Sequence, residues 1–340
     1  MKKLRVLALY DDRLLPPDEA KGKEVVGAEW KMEFDVIHSL RKEGHEVQAL
    51  GVGSELGVIR SAITEFKPDI AFNLLEGFAE VATWDQNVVA YLELLRLPYT
   101  GCNSRGLLLA RDKGIAKKIL AYHRVPVAAF VVFPRDRAVR RPRRLRFPLI
   151  VKSLTFDASI GISQASVVED DDKLVERVRF IHESIGTDAL VEEYIEGREL
   201  YVGILGNHRL QVLPIWELSF SGMPEEARKI ATERLKWSLQ YQKKHGIVSG
   251  PAKDLPEALT RSLGSLCKRI YRNLMLSGYA RIDLRLGEDG RVVVLEANPN
   301  PQLANGEDFA DSAKKAGIDY GPLLERIMRL GLEWEPSHPG

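Results

Sequence analysis

The sequence of 340 residues lacks the features that mark several protein classes. It has only two cysteines, Cys102 and Cys267, which lie far apart, so neither a CxxC metal motif nor a disulfide framework is expected. Its seven histidines form no HxxH or HxxxH pair, which argues against a zinc site. A chain with this cysteine usage is expected in a reducing cytoplasm.

The chain also lacks net charge and long hydrophobic runs. Its 49 basic and 48 acidic residues leave a formal charge of +1, so no long-range field attracts a polyanion. No segment approaches the ~20 apolar residues of a membrane-spanning helix, and no membrane partner is expected. With 45% hydrophobic and 29% charged residues, the composition is that of a globular protein of two or three domains.

One segment departs from this balance, because Arg135–Arg146 contains seven arginines in twelve residues. Such a cluster could bind nucleic acid or an anionic substrate. However, Pro134 and Pro142 mark it as a loop, and no aromatic residue precedes Phe147. We therefore prefer a solvated loop between strands and expect no nucleic-acid partner.

Strands and helices alternate in the first hundred residues, which predicts an α/β unit with a parallel sheet. The strands are predicted at 4–10, 45–51, 69–73 and 97–101, and the helices at 29–43, 58–66 and 83–94. The remainder has an α+β pattern, in which Gly206-Asn207 and Glu288-Asp289-Gly290 are hairpin signals. Two segments with little regular pattern, Leu154–Gly161 and Ser219–Leu255, are candidate lids.

The second hairpin carries the sharpest set of polar residues. Asp283 and Glu296 lie at near-equal distances from the turn, so strand pairing places them side by side. Glu296 and Asn298 are two residues apart and share a face of the strand. Three oxygen donors on one face predict a site for a hard cation such as Mg²⁺ bound together with phosphates. The alternative is a pair of exposed acidic residues beside a turn.

Further residues suit a nucleotide. Lys152 ends an apolar strand before the loop at 154–161, and Lys113 opens a helix; both are candidates for phosphate binding. Glu199 follows a strand and an acidic turn, where it could take ribose hydroxyls. Taken alone, Lys113 fits an ordinary surface lysine and Glu199 an ordinary acidic turn.

From about Leu97 to Leu330 the sequence resembles the D-alanine–D-alanine ligase family of ATP-grasp enzymes. The matching segments occur in the family's order, and the step from Asp283 to Glu296 is equivalent. They are Leu97–Gly101, Asp112-Lys113, Ile150–Lys152 with the loop to Ser159–Gly161, Glu192-Glu193 through Gly197 to Glu199, Lys236-Trp237, Pro251-Ala252, Arg281–Asp283 and Leu295–Asn298.

The resemblance implies a pre-ATP-grasp domain at 1–101, a central ATP-grasp subdomain at 102–190 and a C-terminal subdomain at 191–334. It also implies ATP and two Mg²⁺ ions (or Mn²⁺) as cofactors, amino acids or peptides as substrates, and a homodimer through the N-terminal domain. The implied site residues are Lys113 and Lys152 for phosphates; Glu192, Glu193 and Ile195 for adenine; Glu199 for ribose; Asp283, Glu296 and Asn298 for metal; and Lys236, Arg281 and Ser159 for catalysis.

This family activates a carboxylate as an acyl phosphate, which an amine then attacks. Arg281 would stabilise the transferring phosphoryl group and the oxyanion, Lys236 would reach the γ-phosphate, and the loop that bears Ser159 would close over ATP. An ADP-forming ligase that makes an amide bond is therefore expected.

The resemblance is weakest at the two substrate ends. The family's glycine-rich N-terminal turn and amine-anchoring Glu have no clear counterpart, so Glu24, Glu29 and Glu76 are the candidates. The family's Thr-x-Pro-Gly segment is replaced by Pro299–Leu303, which changes the acceptor pocket. Two alternatives thus stay open: a ligase with a different amino acid or peptide acceptor, and a nucleotide-binding protein without catalysis.

Overall fold

The computed structural model describes residues 2–20, 24–157, 159–220, 222–224 and 228–335, apart from the side chains of Lys236, Trp237 and Leu239. The strands of this part of the chain form three sheets, of three, four and six strands. Each sheet is built from its own stretch of sequence.

The first sheet is parallel and has the order β2-β1-β3. Its elements, in chain order, are β1 (Arg5–Asp11), α1 (Lys31–Lys42), β2 (Glu46–Val52), α2 (Gly57–Phe66), β3 (Ile70–Asn73) and α3 (Asp85–Leu94). This arrangement confirms the predicted α/β alternation. The strand expected at 97–101 is wrong, because only Tyr99 bridges to the sheet and Pro98 has no N–H to donate.

The second sheet is antiparallel, with the order β4-β7-β5-β6. Two helices, α4 (Ser104–Arg111) and α5 (Lys113–Tyr122), precede it. Its own elements are β4 (Phe130–Phe133), β5 (Leu149–Ser153), β6 (Val167–Val168), α6 (Asp171–Phe180) and β7 (Ala189–Glu193). The arginine-rich segment connects β4 to β5, as expected for a loop between strands.

The third sheet is antiparallel and has the order β11-β10-β8-β12-β13, with β9 paired to β8. Its strands are β8 (Gly197–Leu205), β9 (Gln211–Val212), β10 (Trp216–Phe220), β11 (Ile247–Pro251), β12 (Tyr279–Gly287) and β13 (Val292–Pro299). The helices are α7 (Glu233–Trp237), α8 (Leu239–Lys244), α9 (Glu257–Asn273), α10 (Asp308–Lys315) and α11 (Tyr320–Leu332). The expectation of little strand character at 219–255 is wrong, since β11 and the end of β10 lie within it.

The core leaves one face of the third sheet available for chemistry. Helix α9 covers one face, where Cys267 and Ile270 pack with Ile282 in a cluster of buried residues. Because side chains alternate along β12, Arg281 and Asp283 point to the other face. Helix α11 meanwhile packs its Leu324 and Ile327 against the first sheet, which joins the two ends of the chain in one core.

Both cysteines are free and buried. No helix in the described ranges is both long enough and apolar enough to span a bilayer.

Candidate active site

The hairpin of β12 and β13 brings the predicted metal ligands together. Asp283 pairs directly with Glu296, and Arg281 pairs with Asn298. The tight turn is held by the hydrogen bond from Gly287 N to Arg291 O (2.8 Å), with Gly290 at a φ of 78° that favours glycine. The predicted side-by-side arrangement of Asp283 and Glu296 is therefore confirmed.

The polar ends of these side chains also meet. Asn298 Nδ2 donates to Asp283 Oδ2 (3.0 Å) and to Glu296 Oε1 (3.3 Å). Arg281 makes a two-pronged contact with both oxygens of Asp283, each at 2.8 Å, and its guanidinium lies 4.6 Å from the ring centre of Tyr201. The Asp283 carboxylate and the ring of Tyr201 thus fix the orientation of Arg281.

Lys113 connects this hairpin to the loop at 154–161. Its ammonium lies 3.7 Å from Glu296 Oε2 and donates to Asp157 Oδ1 (2.7 Å) and Phe156 O (2.8 Å). Burial alone lowers the pKa of Lys113, but the Asp157 and Glu296 carboxylates raise it above its usual value. Asp157 also pairs with Arg111, which in turn pairs with buried Asp85.

Lys152 ends β5 as predicted and bonds to Glu192 on β7 (2.7 Å). The second oxygen of Glu192 lies 2.7 Å from the ammonium of Lys117, a fully buried lysine on α5. Burial by itself raises the pKa of the Glu192 carboxyl, but the two ammonium groups together lower it to about 2. The trio therefore carries a net positive charge beside the cleft.

The predicted ribose ligand, Glu199, is also held by other residues. Arg285 donates to its Oε2 (2.9 Å) and the hydroxyl of Tyr201 donates to its Oε1 (2.9 Å). Arg285 further donates to Gly197 O and Lys229 O, so it ties β12 to the start of β8.

Several of these residues line one cleft whose walls come from the second and third sheets, while Arg281, Asn298 and Lys117 lie outside its lining. Its main part encloses about 600 Å³, including the open mouth, and a smaller part of about 270 Å³ adjoins it through shared walls. The main part is lined by Lys113, Lys152, Ser159, Glu199, Asp283 and Glu296, among others. The smaller part is lined by Lys152, Glu192, Glu193, Ile195 and hydrophobic side chains. Both parts mix apolar side chains with charged groups, which suits a nucleotide.

Most of the predicted site residues thus share this cleft. Ser159 lies on its loop with a positive φ of 60°, and Glu193 Oε1 accepts from Arg146 N (3.3 Å) at the small end. Lys236 falls in α7, and its side chain is outside the described part of the chain. Of the candidate amine anchors, Glu24, Glu29 and Glu76 all lie exposed.

Sequence reasoning missed several charged residues, of which Lys117 and Arg285 are the clearest. Lys117 lies one helical turn after Lys113 and on the same face of α5, a spacing that the sequence offered as a signal. Arg285 follows Asp283 by two residues, and a register shift after Asp283 separates the two positions in the hairpin. No sequence pattern pairs Arg285 with Glu199.

The donors at the hairpin fit a divalent cation. Two carboxylates and one amide, on adjacent strands and within contact of each other, are the oxygen ligands that Mg²⁺ prefers. Asn298 can present its amide oxygen in place of its nitrogen by a half-turn of the amide. The positive charges of the cation and of the nearby Lys113 would be balanced by the two carboxylates and by phosphate oxygens.

Comparison with known proteins places the chain in a family. The family described as D-ala D-ala ligase C-terminus matches residues 119–329. The D-alanine–D-alanine ligase of Desulfotalea psychrophila is 31% identical over 278 residues, which cover 80% of this chain and 81% of that enzyme. An uncharacterized protein of Sinorhizobium fredii, y4sG, is 31% identical over 304 residues, or 86% of this chain and 85% of that protein.

The fold agrees with this assignment. The crystal structure of the D-alanine–D-alanine ligase from Bacillus anthracis complexed with ATP superposes with a TM-score of 0.75 at 23% identity, covering 97% of this chain and 98% of that one. The similarity extends over the first sheet, beyond the residues that the family match spans. The chain belongs to the D-alanine–D-alanine ligase family of ATP-dependent, ADP-forming ligases with the ATP-grasp fold.

Proposed function

We propose that this ligase binds ATP in the cleft between its second and third sheets and uses it to join an amino acid's carboxylate to an amine. The single observation that carries the proposal is the meeting of Asp283, Glu296 and Asn298 beside Lys113. Lys113, Asp283 and Glu296 line the main part of the cleft and not the smaller part, so a nucleotide whose base fills the smaller part would direct its phosphates toward them.

At the base end, Glu192, Glu193 and Ile195 would line the adenine pocket, and Glu199 would take the ribose hydroxyls. Lys113 and Lys152 would bind the phosphates as point charges. In support of these roles, Lys152 lines both parts of the cleft and is held by Glu192.

Asp283, Glu296 and Asn298 would hold two Mg²⁺ ions, which supply charge neutralisation for the phosphoryl group when bound. Arg281 would face the carboxylate being activated and later the oxyanion produced by amine attack, which its fixed guanidinium stabilises. Lys236 would approach the γ-phosphate.

The loop at 154–161, with Ser159, would exclude water, because an acyl phosphate hydrolyses readily. Two features support this role: the loop forms one wall of the cleft and its Asp157 already touches Lys113. We also retain the division at 1–101, 102–190 and 191–334 as a proposal, with the reaction taking place where the three meet.

The acceptor is proposed to differ from D-alanine. Asn300, in the segment that replaces Thr-x-Pro-Gly, has a φ of 51° and accepts a hydrogen bond from Cys102 N through Oδ1 (2.7 Å). This side chain thus joins two parts of the backbone and is not free to receive a substrate carboxylate. The segment Pro299–Leu303 contains no hydroxyl or cationic side chain that could receive this carboxylate in place of Asn300.

The proposal is tested by phosphate release from ATP with pooled D- and L-amino acids, with the products analysed by mass spectrometry for new amides. We expect Mg²⁺-dependent release that requires an amino acid. The Glu296→Gln variant should lose more than about 100-fold in kcat while keeping its thermal midpoint. Wild-type turnover in this variant would refute the metal assignment, and release without any amino acid would refute the ligase assignment for small acids.

A further inference from the structure

The carboxylate of Glu33 is buried without a partner. It lies in the first turn of α1, is 1% exposed, and neither oxygen has a hydrogen-bond partner on any other described residue. The buried hydroxyl of Tyr320 is likewise unpaired. An unpaired buried carboxylate costs several kcal/mol, so a folded protein keeps one only where something else compensates.

The charges around Glu33 make the cost larger. Burial raises the pKa of Glu33 most, its own backbone N–H lowers it, and the carboxylates of Glu76 and Asp11 raise it further, so that the pKa lies at about 7. Asp11 is itself neutralised, since Arg13 contacts both of its oxygens at 2.7 and 2.9 Å. No cation of the described chain is among the groups that act on Glu33. Its polar neighbours are the phenols of Tyr10 and Tyr320, whose pKa values burial raises first and Glu33 raises further.

Glu33 lies at the edge of the first sheet where ligands bind in α/β folds. Tyr10 and Asp11 end β1, and Glu76 follows β3, so their side chains gather at the carboxyl ends of the parallel strands. This edge is where open α/β sheets bind their ligands. The buried acid therefore lies at the edge of the sheet where a bound small molecule could supply the missing positive charge.

Glu76 is linked by contacts to the phosphate end of the cleft, whereas the carboxylate of Glu33 has no such link among the described residues. Arg111 donates to Glu76 O (3.3 Å) and pairs with Asp157, which bonds to Lys113. Three contacts thus link the backbone of Glu76 to Lys113, the lysine proposed to bind phosphate. The groups that act on Glu33 are Glu76 and Asp11, and none of them is a phosphate-end residue. We therefore infer that Glu33 is the farther of the two carboxylates from the phosphate end.

We propose that Glu33 binds a cationic nitrogen at the end of the donor's side chain, so that the acid activated by this ligase is a basic amino acid. The α-amino group of an amino acid is one carbon away from the carboxylate that is phosphorylated. It therefore has to bind near the phosphate end, where the exposed Glu76 is available. A cation that reaches Glu33 belongs to a longer side chain. This inference rests on the proposed function and names the substrate class of the same site.

The test compares pairs of amino acids that are nearly equal in size and differ in side-chain charge. Ornithine is paired with norvaline and lysine with norleucine, each in both enantiomers, at saturating ATP, Mg²⁺ and pooled amine acceptors. We expect kcat/KM for the cationic member to exceed that for the neutral member at least tenfold in the wild type. In Glu33→Gln this ratio should fall to about one, because an amide pairs no charge. In Glu65→Gln, an exposed glutamate on α2, the ratio should stay as in the wild type.

Two results would overturn the proposal. One is a wild-type ratio near one, and the other is a Glu33→Gln variant whose kcat/KM falls equally for both members of a pair. The second result would assign Glu33 to the α-amino group or to the fold.

Calorimetric titration of the four amino acids into the full chain with ADP and Mg²⁺ provides a readout that does not need turnover. If no amide forms with any acid but ornithine still binds more tightly than norvaline in a Glu33-dependent way, the proposed function fails and this inference stands. If amides form without a charge preference, only this inference fails.

Discussion

The ammonium of Lys117 lies 2.7 Å from Glu192 Oε2, and both side chains are almost fully buried. Lys117 also donates to Val294 O on β13 (3.2 Å), so one side chain connects helix α5, the second sheet and the third sheet. Since the other oxygen of Glu192 bonds to Lys152, the position of Lys152, which we propose to bind phosphate, depends on a residue behind it.

Replacing Lys117 with Met should loosen this arrangement. Breaking a buried ion pair by removing one partner costs about 3–5 kcal/mol, and the remaining pair with Lys152 reduces the expected loss to about 2–3 kcal/mol. We also expect a KM for ATP raised about tenfold with a smaller change in kcat, because Lys152 loses its fixed position. Denaturant unfolding and steady-state kinetics measure both. Lys118→Met, the exposed neighbour on the same helix, should change neither.

Arg281 is expected to act on the reacting groups more than on nucleotide affinity. Arg281→Lys keeps the charge but loses the two-pronged contact with Asp283, so kcat should fall about 10²–10³-fold with the Kd for ATP within threefold of the wild type. A stopped-flow nucleotide titration beside the kinetic assay separates the two effects. A change confined to nucleotide affinity would contradict the proposed role.

Asp157 neutralises Lys113 where phosphates would bind, so it should oppose nucleotide binding. In Asp157→Asn the ammonium is freed from a half-exposed carboxylate, which at about 1 kcal/mol corresponds to ATP binding about fivefold tighter. Isothermal titration with ATP and Mg²⁺ provides the measurement, and Asp172→Asn on the exposed face of α6 serves as the control. Weaker binding in Asp157→Asn would show that the loop needs this carboxylate for closure.

The titration of Glu33 should make the free energy of unfolding depend on pH. Its pKa is about 7 in the folded chain against 4.5 for an ordinary glutamate, so the folded state holds a proton that the unfolded state has released. The stability that the folded state gains from binding this proton is fully present below pH 4.5 and is lost as the pH rises to 7. At about 1.4 kcal/mol per tenfold change, the loss amounts to about 3 kcal/mol.

The difference in unfolding free energy between Glu33→Gln and the wild type measures this contribution, since the other titrating groups are common to both. We expect the difference to move in favour of the variant by about 3 kcal/mol between pH 4.5 and 8. A difference independent of pH would mean that the carboxylate is paired in solution. If Glu33→Gln is more stable than the wild type but no longer selects its substrate, Glu33 serves substrate binding at a cost in stability.

The hairpin shows which parts of the site can be predicted from local sequence. Asp283, Glu296 and Asn298 could be placed together in advance because the turn at 288–290 fixes the strand pairing and strand geometry fixes the face. The α/β alternation of the first hundred residues and the loop between Lys152 and Gly161 were predicted in the same way. Each of these depends on neighbours a few residues away or directly across a turn.

Other features were decided only by packing. Glu192 is far from Lys117 in sequence, and Tyr320, on which the charge of Glu33 acts, comes from the other end of the chain, so no periodicity could bring either pair together. The sequence by itself determined the family, the hairpin and the types of chemical group, because local geometry and motif order suffice for these. The tertiary structure decided which lysine holds which carboxylate and which acid is left buried without a partner. These depend on how separate sheets and helices pack, and on the energy of removing charge from water once they do.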